Sequence, residues 1–139
     1  MESFESYIAQ GIVRKVSPDR ERAKKLIRDG KNRLKDVELL DIEKLPKFVF
    51  ENIYDALRDF LLAILLNEGY NTASHEAPIS YLLKKGFDVY TLNKLDRFRY
   101  KRNGSKYYGE GITIEEAKEI KEFCSQINAK LYKLLNKMF

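Results

Sequence analysis

Apolar residues recur along this chain every three or four positions, and this spacing predicts helices rather than strands. The longest such segment, residues 46–69, begins with Pro46, stops at Gly69 and is apolar around most of its circumference. A helix of this kind is typical of the centre of a bundle. A strip of polar side chains interrupts it at Asn52, Asp55, Arg58 and Asp59. This strip must face solvent, a partner or a polar patch inside the bundle.

Two helices are predicted before this central one. Residues 2–10 have the spacing of a short amphipathic helix. Ser17 and Pro18 are typical of a helix start, since Ser caps free amides and Pro suits the first helical position. The strongly charged helix that follows is expected to end near Leu40. Gly30 in its interior costs it roughly 1 kcal/mol relative to alanine.

Two further helices are predicted directly after the central one. Ser74 is expected to cap the first, which ends at Gly86. Pro78 falls so early in that segment that a start at Ala77 is also compatible with it. The second is opened by residue 88 or 91 and is expected to break at residues 103–104, Asn-Gly, a pair typical of turns.

Thr113 and Glu116 form a capping box that opens the last helix, in which the two side chains satisfy each other's backbone amides. No segment alternates between apolar and polar residues in the way a strand does. The fold class expected is therefore all-α, an up-and-down antiparallel helical bundle of five or six helices. Residues 1–139 are expected to form a single domain.

Composition agrees with one self-sufficient core. Of 139 residues, 44% are hydrophobic, while seven glycines and three prolines are too few for a many-turned β fold. No signal peptide is expected, because MESFESYIAQ has two early glutamates where a signal peptide needs basic residues, and no apolar run reaches the ~20 residues that a membrane span needs. Its single cysteine cannot form an internal disulfide. These features predict a cytoplasmic protein that does not enter membranes.

Few residues carry obvious chemistry. The sequence has no glycine-rich phosphate loop, no Cys/His cluster and no zinc motif, so no metal and no cofactor is predicted. Cys124 lies on the apolar stripe of the last helix, as a small core residue would, although a thiol nucleophile is the alternative. His75, the only histidine, is either a general base or a residue that orders the loop before its helix.

The most basic segment is RFRYKRNGSKYYGEG, residues 97–111. On a helix, Arg99 and Arg102 continue the stripe of Leu92 and Leu95, so that it begins in the core and ends in two arginines. Because arginine is rarely buried without a partner, these side chains should meet a carboxylate, an anion or another subunit. The internal candidates are Asp55 and Asp59.

Two interpretations of this basic segment remain open. Arginines with tyrosines nearby, here Tyr107 and Tyr108, are what single-stranded nucleic acid needs for phosphate pairing and base stacking. The alternative is a basic helix end, where cations complement the helix dipole. The formal net charge of +5 favours a polyanionic partner only slightly.

The order of segments resembles the HEPN superfamily, in particular its small stand-alone archaeal and bacterial members. The resemblance covers roughly residues 17–135 and rests on YDALRDFLLAILLNEGY, SHEAPISYLL, LDRFRYKRNGSKYYGEGITIEEA and the apolar last helix. It implies a helical bundle that forms a homodimer and acts as a metal-independent ribonuclease. It also implies a role in a toxin–antitoxin pair with a nucleotidyltransferase-type partner.

The family signature is an arginine, often followed by a polar residue, with a histidine a few residues later. Arg102 and Asn103 match its first part, but Tyr107 stands where the histidine is expected. Since the ordinary pKa of tyrosine is about 10, it is a poor general base near neutral pH. His75 could replace the missing imidazole only if the fold brought it close to Arg102.

The resemblance and the residue chemistry together predict one site. Its catalytic residues are expected to be Arg102, Asn103 and Tyr107, with nucleic acid held by Arg97, Arg99, Lys106 and Tyr108. A secondary polar strip contains Asp55, Arg58 and His75.

The predicted function is binding of RNA or a nucleotide, with weak or absent ribonuclease activity. One alternative is a non-catalytic protein–protein module that pairs with a nucleotidyltransferase-type partner. Another is a small-molecule site inside the bundle, lined by Asn52, Asp55 and Arg58.

Overall fold

The computed structural model describes residues 1–138, and within them six α-helices form a bundle, as the sequence predicts. A short 3₁₀ turn, Leu82–Lys85, follows the fourth helix. No helix of residues 1–138 is both long and apolar enough to cross a bilayer. The helices are α1 (Phe4–Ala9), α2 (Arg20–Val37), α3 (Pro46–Glu68), α4 (Glu76–Tyr81), α5 (Val89–Tyr108) and α6 (Ile114–Lys137).

Helix α3 lies at the centre of the bundle and packs against α2, α4, α5 and α6. It begins with Pro46 in its first turn and ends at Gly69, whose φ of 91° is a conformation that suits glycine. Phe50, Leu57 and Phe60 are almost completely buried along it. Each such side chain stabilises the fold by roughly 1.5–3 kcal/mol through removal from water. The burial of α3 explains why it is apolar nearly all round.

Gly30 allows α2 to pack closely against α3. A Cβ atom at this position would lie 2.6 Å from Cε1 of Phe60 and 3.1 Å from the backbone oxygen of Ala56. Both distances are shorter than an ordinary carbon contact. The low helix propensity of Gly30 is therefore offset by the close contact between the two helices.

Two strands were not predicted. Strand β1 (Val13–Lys15) pairs antiparallel with β2 (Tyr70–Thr72), with Val13 opposite Thr72. At one end of the pair, the Val16 amide donates to the Gly69 oxygen at 2.9 Å. The expectation of no strand was wrong because three residues are too few to show an alternating pattern.

The predicted helix starts are partly confirmed. Asp19, rather than Ser17 and Pro18, caps α2, because its Oδ1 accepts the Arg22 amide at 3.1 Å. Ser74 acts as the predicted cap of α4, since its Oγ accepts the Glu76 and Ala77 amides at 3.1 and 3.2 Å. Asp88 caps α5 in the same way, through the amide three residues later at 2.8 Å.

The expectation that residues 103–104 break α5 was wrong. The helix continues through Asn103 and Gly104 to Tyr108, and it ends at Gly109 with a φ of 68°. Gly104 is buried, and the next residue, Ser105, donates to Oε2 of Glu51 on α3 at 2.8 Å. These tertiary contacts outweigh the roughly 1 kcal/mol by which glycine disfavours a helix.

Helix α6 has both features predicted for it. Thr113 and Glu116 form the capping box, with bonds of 2.9 and 3.1 Å between side chains and amides. Cys124 is buried, with 4% of its surface exposed, and burial raises the pKa of its thiol to about 11. A thiol held in its protonated form is a core residue, not a nucleophile.

Candidate anion-binding site around Arg102

Arg102 lies on the side of α5 that faces α3, and its side chain is only 3% exposed. Its Nη2 donates to Oδ1 of Asp55 at 2.9 Å. The basic stripe of α5 therefore ends at an internal carboxylate, and of the two candidates it is Asp55. Asp59 instead pairs with Nε of Arg33 at 3.4 Å.

Two nitrogens of Arg102 have no hydrogen-bond acceptor. Nε and Nη1 are buried, and no atom of residues 1–138 meets hydrogen-bond geometry with either of them. The Arg102 Cζ lies 5.9 Å from the ring centre of Tyr54 and 5.8 Å from that of Tyr107. Leaving a buried donor without an acceptor costs about 1–3 kcal/mol. Such a group is a candidate for binding an anion.

The charge of Arg102 is nevertheless stable. Burial by itself acts to lower the pKa of its guanidinium, but the carboxylate of Asp55 and the side chain of Tyr107 outweigh this effect. The net result is a pKa above the ordinary value for arginine. The site therefore holds a permanent positive charge.

The polar strip of α3 is a polar patch between helices. Nη1 of Arg33, on α2, lies 3.3 Å from Oδ1 of Asn52 and 3.9 Å from Oδ2 of Asp55. Asp55 therefore joins α2 to α5 across α3. Burial raises the pKa of Asp59 to about 6, although Arg33 opposes the shift. Arg58 forms no ion pair with any carboxylate of residues 1–138.

His75 lies in the same neighbourhood, at the start of α4. Its Nδ1 is 3.5 Å from the hydroxyl of Tyr54, and the two rings stack with centres 6.3 Å apart. Burial, together with the charges of Arg58, Arg102 and Arg99, lowers the pKa of His75 to about 4. The imidazole is therefore neutral at pH 7.

Arg99 contributes a second arginine to this cluster. Its Nε donates to Oδ1 of Asp96 at 2.7 Å, and its Nη2 lies 3.5 Å from Oε1 of Glu76. Glu76 also accepts the hydroxyl of Tyr7 at 3.2 Å. We use the name Arg102 site for the group Tyr54, Asp55, His75, Arg99 and Arg102.

Asn103 and Tyr108 lie beside the Arg102 site rather than in it. Together with Arg99, Tyr100, Gly104 and Glu110 they line a surface concavity of about 230 Å³. Oδ1 of Asn103 is buried without a hydrogen-bond partner among residues 1–138. Arg99 thus connects the buried cluster to an open concavity.

The remaining predicted residues take other positions. Arg97 is exposed and pairs with Glu119 of α6, away from Arg102. Lys106 is exposed, and so is Tyr107, although its ring approaches Arg102. Sequence reasoning did not single out Tyr54 or Glu76. The sequence indicated a role for them only by their places in the chain, Tyr54 next to Asp55 and Glu76 next to His75.

The cluster combines positive charge with a neutral imidazole. The charges of Arg58, Arg99 and Arg102 all act on His75 and Tyr54. A bound phosphate would meet guanidinium donors, and its negative charge would raise the pKa of His75 toward neutrality. Among residues 1–138, no group of three or more His, Cys, Asp and Glu side chains could hold a metal ion.

Comparison of the chain with protein-family models, with curated proteins and with solved structures found no match. The HEPN resemblance therefore depends on the sequence segments quoted above.

Proposed function

We propose that this chain is a HEPN-like protein that binds RNA, or a nucleotide-bearing partner, at the Arg102 site. The observation that carries the proposal is the pair of buried Arg102 nitrogens, Nε and Nη1, without an acceptor. Guanidinium groups bind phosphate through paired N–H donors; Asp55 occupies Nη2, and the other partner of the guanidinium is the exposed Tyr107 side chain, which a phosphate would replace. A phosphate oxygen would satisfy the donors that the protein leaves unpaired.

Access to Arg102 depends on Tyr107. Tyr107 lies in the last turn of α5 and is 63% exposed, and its side chain contacts the Arg102 guanidinium, whose Cζ is 5.8 Å from the ring centre. Rotation of this side chain would open the guanidinium to an incoming phosphate. Tyr107 and Tyr108 then offer exposed rings for base stacking, and Lys106 adds a charge for the backbone.

In the catalytic form of the proposal, the 2′-hydroxyl of RNA attacks the adjacent phosphorus and the bond to the 5′-oxygen breaks. His75 accepts the 2′-hydroxyl proton, since its imidazole is neutral at pH 7. Arg102 stabilises the charge on the phosphate, and Tyr107 donates a proton to the leaving oxygen. Asn103, which lies beside the site, has no direct part in this step. Because a pKa of about 4 makes His75 a weak base, cleavage is expected to be slow.

The test is incubation of the protein with labelled single-stranded RNA at low salt without added metal, with binding and cleavage measured together. Arg102→Met is the main variant, because it removes the charge and keeps the buried aliphatic stem. Arg97→Met is the matched control, since Arg97 lies elsewhere on α5. The proposal expects weaker RNA binding for Arg102→Met alone. Equal binding by all three proteins would refute it.

Two more variants test the catalytic form. Tyr107→His restores the signature histidine and is expected to increase cleavage, whereas His75→Gln is expected to abolish any cleavage by the wild type. Wild-type cleavage that persists in His75→Gln would refute His75 as the base. If neither the wild type nor Tyr107→His cleaves RNA, the site only binds it.

A second candidate function is a protein–protein module that pairs with a second copy or with a nucleotidyltransferase-type partner. It is favoured by exposed aromatic rings near the end of α5, where Tyr100 is 73% and Tyr108 is 80% exposed. Aromatic residues are enriched at interfaces. Sedimentation of the wild type and of Tyr100→Ser tests the homodimer, which is expected to weaken in the variant. A wild-type monomer would refute homodimerisation.

A further inference from the structure

A separate basic cavity lies where β1, the first turn of α2, the middle of α3 and the loop after β2 meet. It has a volume of about 480 Å³, within the usual range for small-ligand pockets. Three arginines from three different elements line it, Arg14, Arg22 and Arg58, with Asn71 and Leu62 beside them. We use the name three-arginine pocket for this cavity.

The backbone explains why these side chains converge. Val13 is buried, so the next residue of β1, Arg14, presents its side chain to the opposite face, beside its partner Asn71 on β2. The Asp19 cap fixes the first turn of α2, which carries Arg22. Arg58 and Leu62 are one turn apart on α3 and therefore share a face. Each arginine thus comes from an ordered element.

No acidic side chain lines the three-arginine pocket. Within residues 1–138, none of its arginines has a carboxylate at ion-pair distance. The two acids nearest to Arg22 in sequence have other partners: Glu21 lies 3.9 Å from Nζ of Lys24, and Asp19 accepts the Arg22 backbone amide. Elsewhere in these residues Arg33, Arg97, Arg99 and Arg102 all pair with carboxylates.

Three cations that share one concavity without a carboxylate at ion-pair distance repel each other, and a bound anion relieves this repulsion. We propose that the three-arginine pocket binds a phosphate group of a nucleotide or of an RNA end. The guanidinium groups bind the phosphate oxygens through paired donors, and the side-chain amide of Asn71 adds a further donor. Leu62 and Ile12 give the pocket an apolar wall for a base. This site is additional to the Arg102 site and does not depend on it.

The test compares 5′-AMP with adenosine by titration calorimetry against the wild-type protein at low salt. The phosphate-specific site predicts that AMP binds more tightly than adenosine. Arg22→Ala is expected to weaken AMP binding about tenfold, the loss of one charged hydrogen bond. Arg28→Ala is the matched control, since Arg28 is exposed on the same helix outside the pocket. Equal binding of AMP and adenosine, or no effect of Arg22→Ala, would overturn the proposal.

Two further experiments distinguish this site from the Arg102 site and identify the molecule that carries the phosphate. Arg22→Ala should weaken AMP binding by the same factor in the wild-type and in the Arg102→Met background; a loss of AMP binding in Arg102→Met, with none in Arg22→Ala, places the nucleotide at Arg102 and refutes the pocket. Short RNAs with and without a 5′-phosphate are then compared. A preference for the phosphorylated RNA that disappears in Arg22→Ala identifies an RNA end, whereas AMP binding without that preference identifies a free nucleotide.

Discussion

The pair Arg102–Asp55 offers the sharpest quantitative prediction. Asp55→Ala leaves the guanidinium of Arg102 buried and charged, with no carboxylate at ion-pair distance among residues 1–138 and with the exposed Tyr107 side chain as its remaining partner. Removing one partner of a buried pair costs about 3–5 kcal/mol. Because the Asp55 side chain is itself 20% exposed, we expect the lower end, a loss of about 3 kcal/mol in the free energy of unfolding.

The reverse variant should cost much less. In Arg102→Met, the methionine fills most of the space of the arginine stem. The carboxylate of Asp55 keeps a contact with Arg33 at 3.9 Å and with water. We expect a loss of about 1 kcal/mol. The double variant should lie within about 1 kcal/mol of Arg102→Met, since it leaves neither charge alone.

The assay is urea unfolding followed by circular dichroism at pH 7, with equal m values required for the comparison. The control pair is Arg97→Met and Glu119→Ala, whose side chains are 61% and 42% exposed and which should each change stability by less than about 0.5 kcal/mol. If the Asp55 and Arg102 variants are additive, the two side chains are not coupled. That result would refute the account of Arg102 as a buried charge held by Asp55.

Three further predictions concern pH, packing and thiol reactivity. The pKa of His75 is about 4 in the folded chain against 6.5 ordinarily, so its neutral form contributes stability above pH 6.5 that is lost as pH falls toward 4. The contribution of Asp59 to stability has the opposite pH dependence. Its pKa is about 6 in the folded chain against 3.8 ordinarily, so it contributes stability below pH 3.8 that is lost as pH rises toward 6. When pH is lowered from 7 to 4, the urea midpoint should therefore fall less in His75→Gln than in the wild type, and more in Asp59→Asn. Identical pH profiles for the three proteins would contradict both assignments. Gly30→Ala should lower the free energy of unfolding by about 2 kcal/mol, because its Cβ would collide with Phe60, and a stabilised variant would refute that contact. Cys124 should react with a thiol reagent only after urea unfolding, so rapid labelling of the folded protein would contradict its burial.

The fold could be predicted from the sequence wherever a local signal decides the structure. The spacing of apolar residues predicted α3, and the capping residues Ser74, Asp88 and Thr113 predicted helix starts. The prediction failed at Gly104 because its effect depends on contacts far away in the chain, including the bond from Ser105 to Glu51. The strands were missed because pairing between distant three-residue segments leaves no local pattern.

The candidate site was predictable in part. From the arginine stripe of α5 we expected a carboxylate, an anion or another subunit as its partner, with Asp55 and Asp59 as the internal candidates. In the structure, Arg102 pairs with Asp55. Sequence spacing could not show that His75 lies in this cluster, since Tyr54 on another helix makes the connection. The three-arginine pocket was not predicted either: the sequence singled out Arg58 in the polar strip, but only the fold brings it next to Arg14 and Arg22.

The salt dependence of RNA binding tests the central proposal most directly. Each phosphate that the protein neutralises on a single strand contributes about −0.7 to the slope of log Kobs against log salt concentration. Fluorescence anisotropy with labelled single-stranded RNA should give a slope of about −2 for the wild type, which corresponds to roughly three phosphates. The slope should be shallower by about 0.7 in Arg102→Met and unchanged in Arg97→Met. A wild-type slope near zero, or the same slope in Arg102→Met, would contradict phosphate recognition at Arg102.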